Sequence, residues 1–350
     1  MTINVLITGA AGNLAHFIWK ALLRSNLPAG HDVRTIGCNY NHDGAGMYQF
    51  DAGHVVPPAV DPAYLPAIME ICERESVHLI MIGNMAEMHV LARHGGEIYK
   101  QTGAFVVTSP PPALRLMDDK WELATFLRKS GFDYPRSVLP SDRKSLERFL
   151  DEVQFPYVVK SRFGAGSQQL ATARTNHELE YLAAAVRDPV IQEYLTPDDE
   201  EYTVGAFVCS NGRAAASIVM KRQLNLGMTF KAQVLPESDL GGYCERILER
   251  TGCIGPANVQ LRLTERGPVV FEINPRFSST TSARPHYGFN ETEMCIRHFV
   301  LNEEIVRPMI RTGRLFRVVE DVFVDEIEFD LLARTGKIEN STNTILWDGC

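Results

Sequence analysis

Between Met1 and Ser109 the chain alternates short, almost wholly apolar runs with segments of helical period, and this pattern restricts the fold more than any other feature. The apolar runs are "INVLITG", "HDVRTIGCN", "VHLIMIGN" and "AFVVTS"; "LAHFIWKALLRS", "AYLPAIMEICERES" and "EMHVLARHGGEIYKQ" lie between them. A strand with one solvated face alternates apolar and polar residues, whereas these runs are apolar at consecutive positions. Strands buried on both faces and separated by helices build a parallel, doubly wound α/β sheet. Pro110, Pro111 and Pro112 cannot belong to a central strand and mark the boundary of this unit.

Beyond the prolines the pattern changes. "DDKWELATFLRKSGF" reads as a helix begun by Asp118 or Asp119 and ended near Gly131, and "SDRKSLERFLDEV" as a second helix capped by Ser141. Then "FPYVVKS", "QQLATAR", "VIQEYL", "EYTVGAFVC", "RAAASIVMKRQ", "FKAQVLP", "NVQLRLTE" and "PVVFEINP" read as strands. Turns such as "SNGR" and "TERGP" make many of them antiparallel, so this part is α+β. After residue 305 one strand, "RVVEDVFV", precedes a polar end.

With 350 residues the chain has room for more than one packed unit. Its net charge of −8 argues against nucleic acid or an anionic membrane as the main partner, and leaves room for a small anionic ligand at a local basic cluster. Seven cysteines, scattered and without a C-x-x-C pair, read as reduced thiols rather than a disulfide framework or zinc site. Met1 leads directly into a strand, with no basic leader, and no apolar run is long enough for a bilayer. A soluble, cytoplasmic protein is the expectation.

The turn in "VLITGAAGNLAHFIWKALL" tests one function directly. Gly9, Ala10, Ala11 and Gly12 would let backbone approach a pyrophosphate at a helix N-terminus, but the same small residues serve simply to pack helix on strand. A dinucleotide site needs an acidic residue after the second strand, and here that strand ends in Asn39 and Asn41, with Asp32 at its start. The turn also resembles that of short-chain reductases and epimerases, which implies a Tyr-x-x-x-Lys pair; no Tyr in the chain has Lys four residues later. The dinucleotide reading therefore falls.

Two other stretches carry chemistry. In "PYVVKSRFGAGSQQL" a strand delivers Lys160 to a loop containing Gly164, Gly166 and Ser167, whose N–H groups can fold over phosphate oxygens. It lacks the Gly-Lys-Ser/Thr ending and following helix of a Walker loop, and an ordinary glycine hairpin is the competing reading. In "NVQLRLTERGPVVFEINPRFSSTTS", Glu272 and Asn274 are two apart and share a strand face, which Gln260 can reach from across the "TERG" hairpin. One carboxylate with amide oxygens is a donor set for Mg²⁺, and Arg276 follows as an anion holder; a Glu–Arg pair at a strand end is the plain alternative.

Together these stretches resemble the ATP-grasp superfamily, on its carbamoyl-phosphate synthase and biotin carboxylase side, over residues 1 to 305. The resemblance implies a pre-ATP-grasp, Rossmann-like α/β domain at 1–112 and an α+β ATP-grasp domain of two subdomains. These are 113–190 with the lid loop and 191–305 with the metal site, followed by an extension at 306–350. It implies ATP with Mg²⁺, Mn²⁺ being an alternative. Lys120 and Lys160 then reach nucleotide phosphate, the 162–169 loop covers it, and Gln192, Glu193, Tyr194 and Leu195 receive adenine. Glu201 sits at the ribose, Gln260, Glu272 and Asn274 hold metal, and Arg276 stabilises an acyl-phosphate. The chain departs from the pattern at Ser161, where many members have proline, at "SQQL", which lacks a second loop glycine, and at Lys120, where carbamoyl-phosphate synthase has arginine.

The implied activity is ADP-forming ligation, in which a small-molecule carboxylate is activated as an acyl-phosphate and attacked by an amine or ammonia, with Arg276, Lys160 and Lys120 in the catalytic roles. Carboxyphosphate chemistry of the carbamoyl-phosphate synthase kind, or a non-catalytic ATP-binding regulatory module, are the alternatives. A homodimer is the expected assembly. For the acceptor, Asn84 and Glu87 stand at the carboxyl end of a parallel strand, Lys221, Arg222 and Lys231 offer anion contacts, and Arg284 and His286 lie in the loop after the metal strand. For each of these a structural role is the competing reading, Glu87 as a first-turn helix acid among them.

Overall fold

The computed structural model describes residues 1–164, 170–225, 227–318, 321–341 and 345–346, the last pair as backbone. Strands β1 (Thr2–Thr8), β2 (Asp32–Asn39), β3 (Ala52–Val55), β4 (Leu79–Ile82) and β5 (Phe105–Val107) pair in parallel in the order β3-β2-β1-β4-β5. The consecutive apolar residues of β1 serve both faces. Ile3, Val5 and Ile7 pack with helix Asn13–Leu22, and Leu6 packs on the other side with helices Tyr64–Arg74 and Met85–Thr102.

Strands β6 (Ser137–Val138), β7 (Tyr157–Ser161), β8 (Leu170–Ala173) and β9 (Pro189–Glu193) form a small antiparallel sheet in the order β6-β9-β7-β8. Helices Arg143–Glu152 and Asn176–Ala185 cover it, and Val138, Phe149, Tyr157, Val159, Leu179 and Ile191 make a core of its own. The third sheet holds β10 (Glu201–Val208), β11 (Ala214–Asn225), β12 (Met228–Val234), β13 (Gly255–Thr264), β14 (Gly267–Asn274) and β15 (Gly313–Phe316). Its order is β14-β13-β10-β11-β12-β15, antiparallel throughout. Helices Pro111–Asp118, Lys120–Lys129 and Leu240–Thr251 cover one face, through Met117, Leu123, Leu127 and Ile247 against Val204 and Val259. From the other face Phe207, Ile218 and Met220 enter the same core as Ile3, Val5 and Trp19, so the parallel sheet and the large antiparallel sheet are fused by apolar packing.

The three prolines lie outside the parallel strands, as read: Pro110 precedes helix Pro111–Asp118, whose first turn tolerates proline because its N–H groups have no intrahelical partner. Three details differ from the sequence reading. Helix Arg143–Glu152 is capped by Asp142, whose Oδ1 accepts from Ser145 N at 3.1 Å, and not by Ser141. Of "RVVEDVFV", only β16 (Val322–Phe323) is a strand among the described residues. It is followed by an unanticipated helix, Glu326–Thr335, β17 (Lys337–Glu339) and β18 (Ile345–Leu346), which pairs with β16. β17 adds antiparallel to β3, and Leu332 and Ile338 join the fused core, so the end of the chain returns to the first sheet.

Candidate active site

Two clefts meet on one strand face. In the β13–β14 hairpin Gln260 stands opposite Glu272 and Asn258 opposite Asn274, while β10 brings Thr203 alongside Gln260. The side-chain period of two therefore assembles these groups on a single surface. One cleft, about 310 Å³, lies between this face and the small sheet. The other, about 600 Å³, lies between it and the carboxyl ends of the parallel strands. Arg222, Gln260 and Glu272 line both.

The first cleft has an apolar side, Val158, Leu195, Leu224 and Phe271, and a charged side, Lys120, Lys160, Glu201 and Glu272. Lys160 is 6% exposed, with its ammonium 5.8 Å from the Phe271 ring centre. Burial pulls it down to about 8, the Glu272 carboxylate opposing and Lys120 reinforcing the shift. A buried ammonium without a carboxylate in salt-bridge range among the described residues is suited to receive an anionic ligand. Lys120 is carried by a helix whose cap, Asp119, accepts from Trp121 N and Glu122 N and also holds Arg162. Its Nζ donates to the carbonyl of Gly164 at 2.6 Å and so ties the helix to the start of the glycine loop. Gly166 and Ser167 lie outside the described residues.

Along the cleft, the Gln192 side chain turns away and donates to Ser137 Oγ at 2.8 Å, while Glu193 accepts from Arg136 N at 2.8 Å and from Arg266. What Gln192 and Glu193 present alongside Tyr194 and Leu195 is therefore chiefly backbone and apolar surface. Glu201 is gripped from two strands: Arg222 Nε and Nη2 donate to its Oε1 at 3.0 and 2.8 Å, and Arg262 Nη2 donates to Oε2 at 2.7 Å.

The three residues expected from the resemblance as metal ligands come together on this face, with one qualification. Glu272 Oε1 accepts from Asn274 Nδ2 at 3.1 Å, Asn274 Oδ1 accepts from Arg276 Nη2 at 3.1 Å, and Gln260 Oε1 accepts from Arg222 Nη2 at 2.6 Å. Among the described residues no three His, Cys, Asp or Glu converge as a metal cage. A single carboxylate with amide oxygens still fits Mg²⁺ that keeps water and phosphate ligands, the usual arrangement at nucleotide sites. Arg276 reaches across the second cleft to the parallel-sheet side, donating from Nε to Met85 Sδ at 2.7 Å, and from Nη1 to Phe277 O at 2.8 Å.

The second cleft is lined on the parallel-sheet side by Gly9, Gly12, Asn13, Asn39, Tyr40 and Asn84, and on the other by Asn258, Asn274, Arg276, Ser278 and Ser279. Gly9 takes φ +62°, and a Cβ there would stand 2.6 Å from the Asn84 Cβ, so the glycine is required by the turn and by close approach. Asn84 caps helix Met85–Thr102 through Ala86 N at 3.0 Å while lining the cleft. Glu87 does not line it: the side chain is 5% exposed in the interior of the parallel-sheet unit, where burial pushes its carboxyl up to about 7 against Thr8 and Tyr64.

Arg284 is likewise no cleft residue. It is 1% exposed, paired with Glu291 at 2.6 Å, and donates to Asn258 Oδ1 and Ser278 Oγ, buttressing the cleft floor from below. His286 faces Arg24 and Arg311 away from both clefts. Lys221 pairs with Glu200, and Lys231 lies exposed on β12. Arg222 is the one member of that basic group inside, and with Arg262 it forms an arginine pair around Glu201 that the sequence reading did not assemble.

Residues 117–280 match the ATP-grasp domain family. In sequence the chain is 26% identical over 279 residues to the carbamoyl phosphate synthase large chain of Mycobacterium sp. (strain JLS), covering 72% of this chain and 24% of that one. It is 22% identical over 321 residues to the arginine-specific large chain of Eremothecium gossypii, covering 85% and 28%. The chain thus spans about a quarter of the length of these relatives. In fold it is similar to N5-carboxyaminoimidazole synthetase from Staphylococcus aureus, solved with ADP, at TM-score 0.69, 14% identity and coverage of 91% and 82%. It is also similar to the biotin carboxylase domain of Hydrogenobacter thermophilus 2-oxoglutarate carboxylase, solved with MgADP and bicarbonate, at TM-score 0.65, 15% identity and coverage of 89% and 73%. Over residues 117–280 the sequence matches an ATP-grasp domain, and the sheet arrangement agrees with the fold of those solved structures.

Proposed function

We propose that the chain is an ATP-dependent, ADP-forming ligase that activates a small-molecule carboxylate as an acyl-phosphate for attack by an amine or ammonia. The observation that carries this reading is the shared wall: Arg222, Gln260 and Glu272 line both clefts, so a phosphoryl donor in one and an acceptor in the other would meet there. On this reading the small sheet is the lid subdomain, β10 to β14 carry the metal face, and the parallel sheet is the pre-ATP-grasp, Rossmann-like domain supplying the acceptor side.

Adenine would lie against Leu195, Tyr194 and Phe271, its phosphates running toward Lys160 and Lys120. Glu272 and Asn274 would hold Mg²⁺, which when bound neutralises charge on the nucleotide phosphates. The carboxylate oxygen would attack the γ-phosphorus and ADP would leave. The amine would then attack the acyl carbon, expelling phosphate and losing a proton. Lys120, Lys160 and Arg276 would offset the charge of the transferring group, and the lid would exclude water from the intermediate.

The test is Mg²⁺-dependent ADP release across a panel of carboxylic acids and amines. Acceptor-stimulated ADP is the expected result; bound ATP with no stimulated turnover by any pair would leave a nucleotide-binding regulatory module. Bicarbonate as the stimulating acid would point instead to carboxyphosphate chemistry.

A further inference from the structure

Asn258 lines the second cleft, yet it is 2% exposed and its side-chain oxygen is doubly engaged. We propose that Arg284 is a positioning residue for that cleft. It fixes Asn258 so that the amide N–H group, and not the carbonyl, meets the substrate; the atom bound there is then an oxygen of the acid, not the nitrogen of the amine. This rests on the ligase reading and deepens it by naming which substrate half this point of the cleft selects.

Arg284 Nη2 donates to Asn258 Oδ1 at 2.6 Å and to Ser278 Oγ at 2.9 Å, and Thr203 Oγ1 donates to the same Oδ1 at 2.8 Å. A guanidinium carries donors only, so the Asn258 atom that faces it is the oxygen, and the NH₂ group takes the other direction. Both lone pairs of that oxygen are used, whereas the NH₂ group has no acceptor among the described residues. An acid oxygen can accept from it; the N–H groups of an amine find no open acceptor on this side chain. The arrangement is built into the sheet. Gly205 stands opposite Asn258 on β10, and the guanidinium occupies the space that its missing side chain leaves. The charge of Arg284 is balanced by Glu291, whose Oε1 accepts from Nη1 at 2.6 Å and from Thr281 Oγ1 at 2.5 Å. Apolar residues of the same volume could hold this loop without desolvating two charges. What they could not supply is a donor aimed at Asn258.

The experiment follows the Asn258 side-chain amide by NMR in the full chain labelled with ¹⁵N-asparagine, with acetate as the oxygen probe and methylammonium as the amine probe. The KM values of the acid and the amine that release most ADP are measured alongside. Acetate should shift the wild-type amide signal and methylammonium should leave it in place. Arg284→Met with Glu291→Leu removes both charges, so that neither is left buried alone, and frees the amide to turn. It should raise the acid KM about tenfold or more, the scale of one oriented hydrogen bond to a charged group, with amine KM and ADP affinity unchanged. Asn258→Asp, which sets a carboxylate against the acid, should do the same with the buried pair intact. An unchanged acid KM, equal rises in both KM values, a rise for the amine alone, or a wild-type amide that acetate does not move overturns the inference and leaves the ligase reading intact. If the double variant does not fold, Asn258→Asp and the acetate titration decide. No stimulated turnover by any pair overturns the ligase reading, and the titration then decides by itself whether Asn258 receives an oxygen.

Discussion

The two clefts share a wall but differ in how their opposite walls are attached. The parallel sheet, behind the second cleft, is fused to the large antiparallel sheet through one core in which Ile3, Val5 and Trp19 meet Phe207, Ile218 and Met220. The small sheet, behind the first cleft, has a separate core around Phe149, Tyr157, Val159 and Ile191. What ties it to the rest is largely polar: Lys120 N to Arg162 O, Lys120 Nζ to Gly164 O, Arg162 to Asp119, Arg266 to Glu193 and Arg262 to Leu195 O. Apolar fusion resists separation because every opened contact exposes area to water, whereas polar bridges exchange protein partners for water at small net cost. The first cleft is thus bounded by two separately packed units bridged by polar contacts, and the second by two sheets that share one core.

The strongest way to break this comparison is to open a cavity in each core. Phe207→Ala should cost about 3–5 kcal/mol and lower the stability of both fused sheets in one denaturant transition. Phe149→Ala should carry a cost of similar order, about 3 kcal/mol, yet confine it. Hydrogen exchange should then lose protection in β7 and β9 while β1 and β4 keep theirs. Equal loss of protection in β1 would show that the small sheet is no independent unit.

Next in size is Glu272→Ala. The residue is partly exposed and bonds only to Asn274 among the described residues, so its removal should leave thermal stability nearly unchanged. Acceptor-stimulated ADP formation should fall by about 10²–10³-fold, the scale of losing one preorganised electrostatic contact at a transferring group. Activity within a few-fold of wild type would detach the shared wall from the chemistry.

How much of this was legible in the sequence follows from distance along the chain. Gln260, Glu272 and Asn274 could be placed together because a period of two and one tight hairpin determine their face. Arg222 could not. Counting back along β10 and β11 from the Val208–Ala214 pair at the turn would set Glu201 opposite Lys221, but a bulge between Phe207 and Val208 shifts the register. Lys221 therefore faces Tyr202, and Arg222 comes beside Glu201. Arg284 stayed open between the acceptor pocket and a structural role for a related reason: its partner Glu291 is near in sequence, but the space that admits it is Gly205 on β10, where a Cβ would stand 2.2 Å from the guanidinium carbon. The tail helix Glu326–Thr335 gave a weak signal because Ile327 and Leu331 stay exposed, leaving Leu332 alone fully buried.

Lys160 sharpens the comparison through pH. Its ammonium, drawn down to about 8 by burial, is the form that would receive phosphate. Nucleotide affinity should therefore fall as pH rises from 7 to 9, and Lys160→Arg, charged throughout, should flatten that profile while acceptor KM stays level in both. The sign for stability is opposite: with the folded value below the unfolded lysine value of about 10.4, the unfolded chain binds more protons between the two, and stability from this group rises with pH there. A pH-independent affinity in the wild type would remove Lys160 from the phosphate path.

The smallest effect should come from Gly9→Ala, and it probes the rigid cleft. Alanine at φ +62° costs about 1–2 kcal/mol in backbone strain, and its Cβ would press on the Asn84 Cβ from 2.6 Å. Because Asn84 both caps its helix and lines the second cleft, the displacement should reach the acceptor side first. The fused core gives the sheets no freedom to separate and absorb it. The expected result is a raised acceptor KM with ADP affinity unchanged and Tm lowered by a few degrees. If ADP affinity falls in step with acceptor affinity, strain at the parallel-sheet edge crosses the shared wall through Arg276 and Met85, and the two clefts act as one site.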